Sequence, residues 1–87
     1  MEEAVFWEDS LDLHGFEREE AVLELDVWLN QAFLQDLRAV RIICGWGAGI
    51  LLKRIEEELA RHPLVESHRL DGPAFIVGII PRSNDGY

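Results

Sequence analysis

An acid and an imidazole lie two residues apart near the beginning of the chain, in Leu11-Asp12-Leu13-His14-Gly15. Alternate side chains of an extended strand point to the same face, so Asp12 and His14 should reach one shared substrate group. An ionised carboxylate and a histidine, which titrates near neutral pH, can divide orientation and proton transfer between them. The same spacing also fits two polar residues that merely cap a strand end and a turn, and both interpretations stay open at this point.

A glycine-rich loop, Gly45-Trp46-Gly47-Ala48-Gly49, is the second feature that could do chemistry. Glycines at alternate positions permit positive φ angles and a close approach of the backbone to a ligand, and the helix expected next begins with free N–H groups. Such geometry favours the binding of a phosphate group. The loop lacks both the Walker A pattern and the G-x-G-x-x-G spacing, so a nucleotide cofactor is not indicated. A tight turn without a ligand is the alternative.

Two side chains beside these glycines extend the range of chemistry. Trp46 has glycine neighbours that offer nothing to pack against, so its ring either stacks on a base or on another chain, or folds back over the sheet edge. Cys44 would have a lowered pKa next to a helix N-terminus, but a buried and inert thiol is the favoured alternative. A nucleophilic pair of Cys44 with His14 would lack a third group to orient it.

The surrounding sequence predicts the elements that position these residues. Apolar residues alternate in the first strand, form nearly continuous runs in the second and fourth strands, and recur at steps of three and four in the helices. The third strand is partly polar. Glycines and the dipeptide His62-Pro63 end the segments. In chain order, the predicted elements are a strand over 11–14, a helix over 17–36, a strand over 40–44, a helix over 49–61, and strands over 65–70 and 74–80.

The element order β-α-β-α-β-β predicts a two-layer α/β domain with a four-stranded mixed sheet. Right-handed crossovers place both helices on one face and make the first three strands parallel. The fourth strand pairs antiparallel with the third, and because it is the most apolar strand we place it inside the sheet, in the order 1-2-4-3. The carboxyl ends of strands 1 and 2 then meet at one edge, and such edges bind ligands in open α/β sheets.

Composition limits what this site can bind. The 87 residues, 48% of them hydrophobic, predict one compact domain over 11–80 with tails at 1–10 and 81–87. A net charge of -9 argues against a protein that coats nucleic acid without specificity. Residues 1–36 hold 11 acidic side chains and one basic side chain. Residues 37–87 hold six acidic and seven basic side chains. A polyanion should therefore approach the bases of the second half, which are Arg38, Arg41, Lys53, Arg54, Arg61, Arg69 and Arg82.

Cysteine content and hydropathy exclude several other classes. Cys44 is the single cysteine of the chain, which excludes an intramolecular disulfide and the usual cysteine-rich zinc patterns. The acidic start is unlike a signal peptide, and the longest apolar run, 74–80, is far shorter than a membrane span. We therefore expect a cytoplasmic protein that binds no membrane and holds no stably bound metal or cofactor. A loosely bound divalent metal ion and the oligomeric state are left open.

Four segments together closely resemble the small MutS-related (Smr) domain family over about residues 11–80: 11–15, 20–21, 42–49 and 62–65. The strand motif and the loop motif, weak singly, are specific as an ordered pair. The family fold is similar to that of the carboxyl-terminal domain of translation initiation factor 3. Its members occur in a bacterial MutS paralogue, as stand-alone proteins and in plant pentatricopeptide proteins.

The Smr family is associated with DNA nicking or RNA cleavage, so the resemblance implies an endonuclease-like site. It implies Asp12 and His14 as catalytic residues. DNA or RNA, branched or single-stranded, is the expected partner, in proteins of the recombination and repair type. The nucleic-acid-binding residues expected on this basis are Gly45, Trp46, Gly47, Gly49 and Lys53.

The loop also departs from the family pattern. Bacterial members usually carry His or Thr at the position of Cys44 and a cation at the position of Trp46, although the Gly-Trp-Gly form resembles the plant members. Leu52 occupies a position that is often basic. Fewer cations beside the phosphate imply weak or structure-selective binding. The alternative is a catalytically inactive module that uses the Trp46 edge or the acidic first helix to engage a protein or a nucleic acid.

Overall fold

The computed structural model describes residues 6–47 and 49–82. Every element expected from the sequence is present, and no boundary moves by more than two residues. The largest shift is at the first strand, which begins before Leu11 because the backbone N–H of Glu8 already donates to the carbonyl of Ala39, at 2.7 Å. The elements are β1 (Asp9–Asp12), α1 (Arg18–Leu34), β2 (Ala39–Ile43), α2 (Ile50–Arg61), β3 (Val65–Asp71) and β4 (Ala74–Ile79).

The four strands form one mixed sheet in the order β1-β2-β4-β3, which confirms the predicted topology. β1 runs parallel to β2, with Leu11 opposite Ile42. β4 is antiparallel to both of its neighbours. Because β4 lies between two strands, its residues Phe75, Val77 and Ile79 are buried at every second position, as its apolar sequence predicted.

Both helices cover the same face of the sheet and share one hydrophobic core. In β2, Val40 and Ile42 point into this core and are fully buried, whereas Arg41 between them points to the opposite face. The core is formed by Leu13, Ala21, Leu25, Leu29, Ala32, Val40, Ile42, Cys44, Ile55, Leu59, Phe75, Val77 and Ile79.

α1 is bounded by local interactions at each end. At its start, the carboxylate of Glu20 accepts the backbone N–H of Glu17 at 3.3 Å, and acidic residues in the first turn complement the helix dipole. Just after its end, Asp36 adopts a φ of 64°, which breaks the helical path. In the part of the chain that the structure describes, neither α1 nor α2 has the length and hydrophobicity needed to cross a membrane.

Polar contacts join the two helices, which run in the same direction. Nε of Arg54 in α2 donates to the Glu19 carboxylate of α1 at 3.2 Å. Beyond the end of α2, the buried His62 bonds Asp26 through Nε2 at 2.8 Å and accepts the N–H of Leu64 at Nδ1. Since Nδ1 accepts, Nε2 carries the proton and donates to Asp26. The sequence assigned His62 only to the helix end, because Asp26 lies far away along the chain.

Substitutions at two leucines of α1 test which face of this helix packs into the core. Leu25→Ala is expected to lower the free energy of unfolding by about 2–5 kcal/mol, because Leu25 is 0% exposed and its loss leaves a cavity. Urea unfolding followed by tryptophan fluorescence measures the change.

Leu23→Ala is the matched control, since Leu23 lies in the same helix and is 68% exposed. Its free energy of unfolding should change by less than about 0.5 kcal/mol. Equal losses in the two variants would show that the face assigned to the core is wrong.

Candidate active site

The carboxyl ends of β1 and β2 lie side by side because the two strands are parallel neighbours. The N–H of Leu13 donates to the carbonyl of Ile43 at 2.7 Å, which continues the pairing one residue past β1. His14 consequently packs against Gly45, where an added Cβ would lie 3.1 Å from the His14 Cβ. Gly45 also has a φ of +83°. Both the crowding and the backbone conformation favour glycine at this position.

Asp12 and His14 lie on the same face at this edge, as their spacing predicted, and they also form a hydrogen bond with each other. Nδ1 of His14 lies 2.8 Å from Oδ1 of Asp12, and the same oxygen accepts the backbone N–H of His14 at 3.0 Å. Leu13 between them is fully buried, which keeps both polar side chains on the opposite side. The side-chain hydrogen bond of His14, and then its backbone N–H, hold the pKa of Asp12 below its usual value.

The ionised Asp12 determines where the imidazole carries its proton. A carboxylate can only accept, so Nδ1 of His14 is the donor in this pair. Within residues 6–47 and 49–82, the other ring nitrogen, Nε2, has no hydrogen-bond partner, and the side chain is 70% exposed. A neutral His14 therefore offers the lone pair of Nε2 as a proton acceptor, while Asp12 orients the ring and stabilises its protonated form.

An open cavity of about 490 Å³ lies beside His14, between the start of α1 and the loop that precedes α2. Trp46, 68% exposed, stands at this cavity, so its ring does not fold back over the sheet. Phe16 and Ile50 add further exposed apolar surface. The lining residues are His14, Gly15, Phe16, Glu17, Arg18, Cys44, Gly45, Trp46, Gly47, Gly49, Ile50 and Leu51.

The backbone N–H groups of the loop differ in what they can offer a ligand. The N–H of Gly45 donates to the carbonyl of Pro73 at 3.1 Å, and that of Gly49 donates to Trp46 at 3.1 Å. The N–H groups of Trp46 and Gly47 form no hydrogen bond within the described part of the chain. Gly45 and Gly49 therefore shape the loop, and their N–H groups are already used. Ala48 lies outside the described residues.

Cys44 is not a reactive thiol. Its side chain is 4% exposed, and burial raises its pKa to about 11, with the negative charge of Asp12 as a second cause. The thiol is therefore protonated at neutral pH and does not act as a nucleophile. The favoured expectation of a buried, inert cysteine is confirmed, and neither a lowered pKa nor a nucleophilic pair with His14 fits the structure.

Two cations without ion-pair partners in the described residues lie near the cavity. Arg18, at the start of α1, lines the cavity itself. Lys53 does not line it but shares an adjacent groove with Arg18. Arg54, which also lines this groove, is neutralised by Glu19 and Glu58 at 3.2 and 3.3 Å. Glu17 also lines the cavity and Glu57 lines the groove, so the local charge is close to balanced, in contrast to the net charge of -9.

Phe16 and Arg18 are site residues that the sequence motifs did not indicate. Both belong to the acidic half of the chain, which the charge distribution assigned to the far side of the molecule. Their position in the sequence relative to His14 could have identified them. They follow His14 by two and four residues, and a helix that begins there starts at the same sheet edge.

Asp12 and His14 are the two groups at this site that could contact a metal ion. Among the residues that the structure describes, no three side chains of His, Cys, Asp or Glu converge. Asp12 and His14 supply two donor groups, and their facing atoms are bonded to each other. The expected absence of a stably bound metal and a loosely bound divalent ion both stay predictions.

Comparisons with known proteins all point to the same protein family. The model of the Smr domain matches residues 11–75. Endonuclease MutS2 of Clostridium botulinum (strain Loch Maree / Type A3) is 44% identical over 63 residues, which are 72% of this chain and 8% of that protein. Endonuclease MutS2 of Caldicellulosiruptor saccharolyticus is 43% identical over 60 residues, 69% of this chain and 8% of that protein.

A solved structure agrees with these relatives. The crystal structure of the Smr domain of Thermus thermophilus MutS2 is 32% identical in sequence and superposes with a TM-score of 0.81. The match covers 84% of this chain and 99% of that domain. The chain thus corresponds to a whole domain of that structure but to a small part of the full-length MutS2 relatives.

The ion pair at the site gives a testable pH dependence. His14→Ala removes the largest cause of the lowered pKa of Asp12, so this pKa should rise toward the ordinary value of 3.8. A carboxyl-carbon NMR titration measures it. The stabilisation by this pair is present above the ordinary pKa and is lost as the pH falls through the lowered value, and the variant should lack it.

Glu8 is the internal control. Backbone N–H groups of Arg38 and Ala39 lower the pKa of Glu8, and His14 does not contribute. The pKa of Glu8 should therefore stay the same in His14→Ala. An unchanged pKa of Asp12 would show that the Asp12–His14 pair does not form in solution.

Proposed function

The chain belongs to the Smr domain family, and from this premise we propose that it binds nucleic acid and cleaves phosphodiester bonds at unpaired nucleotides. The observation that carries the proposal is the bonded Asp12–His14 pair beside a cavity with an exposed tryptophan. Relatives that share this domain carry the name endonuclease. The geometry supports the same chemistry in this chain.

His14 acts as the general base in the proposed reaction. A water molecule, or in RNA the ribose 2′-hydroxyl, transfers its proton to Nε2 as its oxygen bonds to phosphorus. The bond to the leaving oxygen breaks, and that oxygen takes up a proton from solvent. The imidazolium that forms keeps its Nδ1–H on Asp12, 2.8 Å away, which stabilises the positive charge. The lowered pKa of Asp12 keeps this carboxylate ionised over the physiological pH range.

The loop and its neighbouring cations hold the phosphate. The N–H groups of Trp46 and Gly47, whose residues line the cavity, are the donors proposed to stabilise the charge that develops on a phosphoryl oxygen. Arg18 and Lys53 supply positive charge at the cavity and the adjacent groove. With two such cations, the salt-dependent part of the affinity is small, which is consistent with selective and moderate binding.

The apolar rim selects unpaired bases. The rings of Trp46 and Phe16 are 68% and 39% exposed, and a base can stack on them only if its own face is accessible. In a duplex, those faces are covered by neighbouring base pairs. Base-on-aromatic stacking contributes roughly 1–3 kcal/mol per base and tolerates any sequence. Single strands, loops and branch points are therefore the proposed substrates.

Substitutions at the two halves of the site should separate cleavage from binding. Asp12→Asn and His14→Gln are expected to reduce cleavage about 10²–10⁴-fold with little change in affinity, because they remove proton transfer. Trp46→Ala is expected to weaken binding of single-stranded oligonucleotides by roughly 1–3 kcal/mol. Labelled single-stranded DNA, single-stranded RNA and duplex, each with magnesium or a chelator, provide the measurement.

Matched variants outside the site serve as controls. Asp9→Asn lies in the same strand as Asp12 and, among the described residues, does not contact His14, and His68→Gln lies in β3. Both should cleave like the natural protein. If the natural protein binds single strands without cleaving them, it is the inactive binding module instead. If it binds no nucleic acid at low salt, the proposal is wrong.

A further inference from the structure

α1 has apolar residues on two opposite faces. The face toward the sheet is buried in the core and contains Ala21, Leu25, Leu29 and Ala32. On the far side, Leu23, Val27 and Leu34 are 68%, 58% and 61% exposed. The exposed Asn30 lies between Val27 and Leu34, and all four residues lie along one line on the helix surface. We name this line the outer stripe (Leu23, Val27, Asn30 and Leu34).

The spacing of the outer stripe fits a partner helix. Positions 23, 27, 30 and 34 are separated by four, three and four residues, which is the alternation of the a and d positions of a heptad repeat. The stripe covers three helical turns, about 16 Å along the axis. An apolar line of this width matches the ridge of another α-helix better than a flat surface or an extended strand.

Acidic side chains border the stripe on both sides. At 3.6 residues per turn, Glu20 and Glu24 lie along one side and Glu19 and Asp26 along the other. Glu19 is partly neutralised by Arg54, 3.2 Å away. α1 carries no base other than Arg18. Arg82 donates to the carbonyl of Leu34 at 3.0 Å at one end of the stripe, and His62 bonds Asp26. Glu20 and Glu24 have no ion pair among the described residues, so the borders are acidic on balance and a partner should be positive.

A second copy of the chain does not meet this requirement. A second copy would present the same acidic borders, and α1 contributes no lysine or arginine to them, so pairing two outer stripes brings no complementary charge. A nucleic acid is repelled by the same carboxylates. We propose that the outer stripe binds an amphipathic helix of a partner protein that has lysine or arginine beside its apolar residues.

This surface is independent of the proposed catalytic function. The outer stripe occupies the face of α1 that points away from the core, whereas the catalytic pair and the cavity lie at the edge where β1 and β2 end. A nuclease assay and a binding assay at the stripe can therefore fail separately.

Designed helical peptides of about 21 residues, three heptads, test the proposal. One peptide has Leu at positions a and d with Lys at e and g; a second replaces the Lys by Glu; a third keeps the Lys but replaces the Leu by Ser. NMR titration of the labelled protein follows binding. The first peptide should shift amide signals along the outer stripe, and the other two should bind at least tenfold more weakly.

Substitutions in the protein complete the test. Leu23→Gln combined with Val27→Gln should weaken binding of the first peptide at least tenfold, and Leu70→Gln, at an equally exposed leucine in β3, should leave it unchanged. Equal binding of the Ser peptide would show attraction by charge alone and would overturn the proposal. Amide shifts outside α1 would also overturn the proposal. So would a dimer of the protein, detected by sedimentation, that the double substitution dissociates.

Discussion

The hydrogen bond from the N–H of Leu13 to the carbonyl of Ile43 is the constraint on which the site depends. This 2.7 Å bond extends the parallel pairing of β1 and β2 and anchors Leu13 in the core. His14 must then leave the sheet directly beside Gly45. A slip of one residue would bury Asp12 and His14 and expose Leu13, so the hydrophobic core itself determines which face carries the chemistry.

The acidity of the chain is compatible with a nucleic-acid site because charge is separated in space. The carboxylates of α1 border its outer face, and two of them have partners, Glu19 with Arg54 and Asp26 with His62. Arg18 and Lys53, which have no ion pairs among the described residues, lie at the cavity and its adjacent groove. One small domain thus has an acidic surface on α1 and a nearly balanced surface at the cavity, where Glu17 and Glu57 accompany these two cations.

Local periodicity explains what could be predicted from the sequence. The period of two in β1 brought Asp12 and His14 together, and the apolar run of β4 placed that strand inside the sheet. Contacts between distant segments were not predictable, which is why the partner of His62 and the bond from Gly45 to Pro73 were missed. The outer stripe escaped notice because α1 is apolar on two faces, and the buried stripe alone already satisfied the helical pattern.

The central claim is that the ends of β1 and β2 form one site for an unpaired nucleotide. Titration of the labelled protein with a short single-stranded oligonucleotide, followed by amide and indole NMR signals, tests it most directly. We expect the signals of residues 14–18 and 45–47 and the Trp46 indole to shift together with a single affinity. Shifts confined to the opposite sheet face, around Arg41 and Arg69, with an unchanged Trp46 indole would contradict the claim.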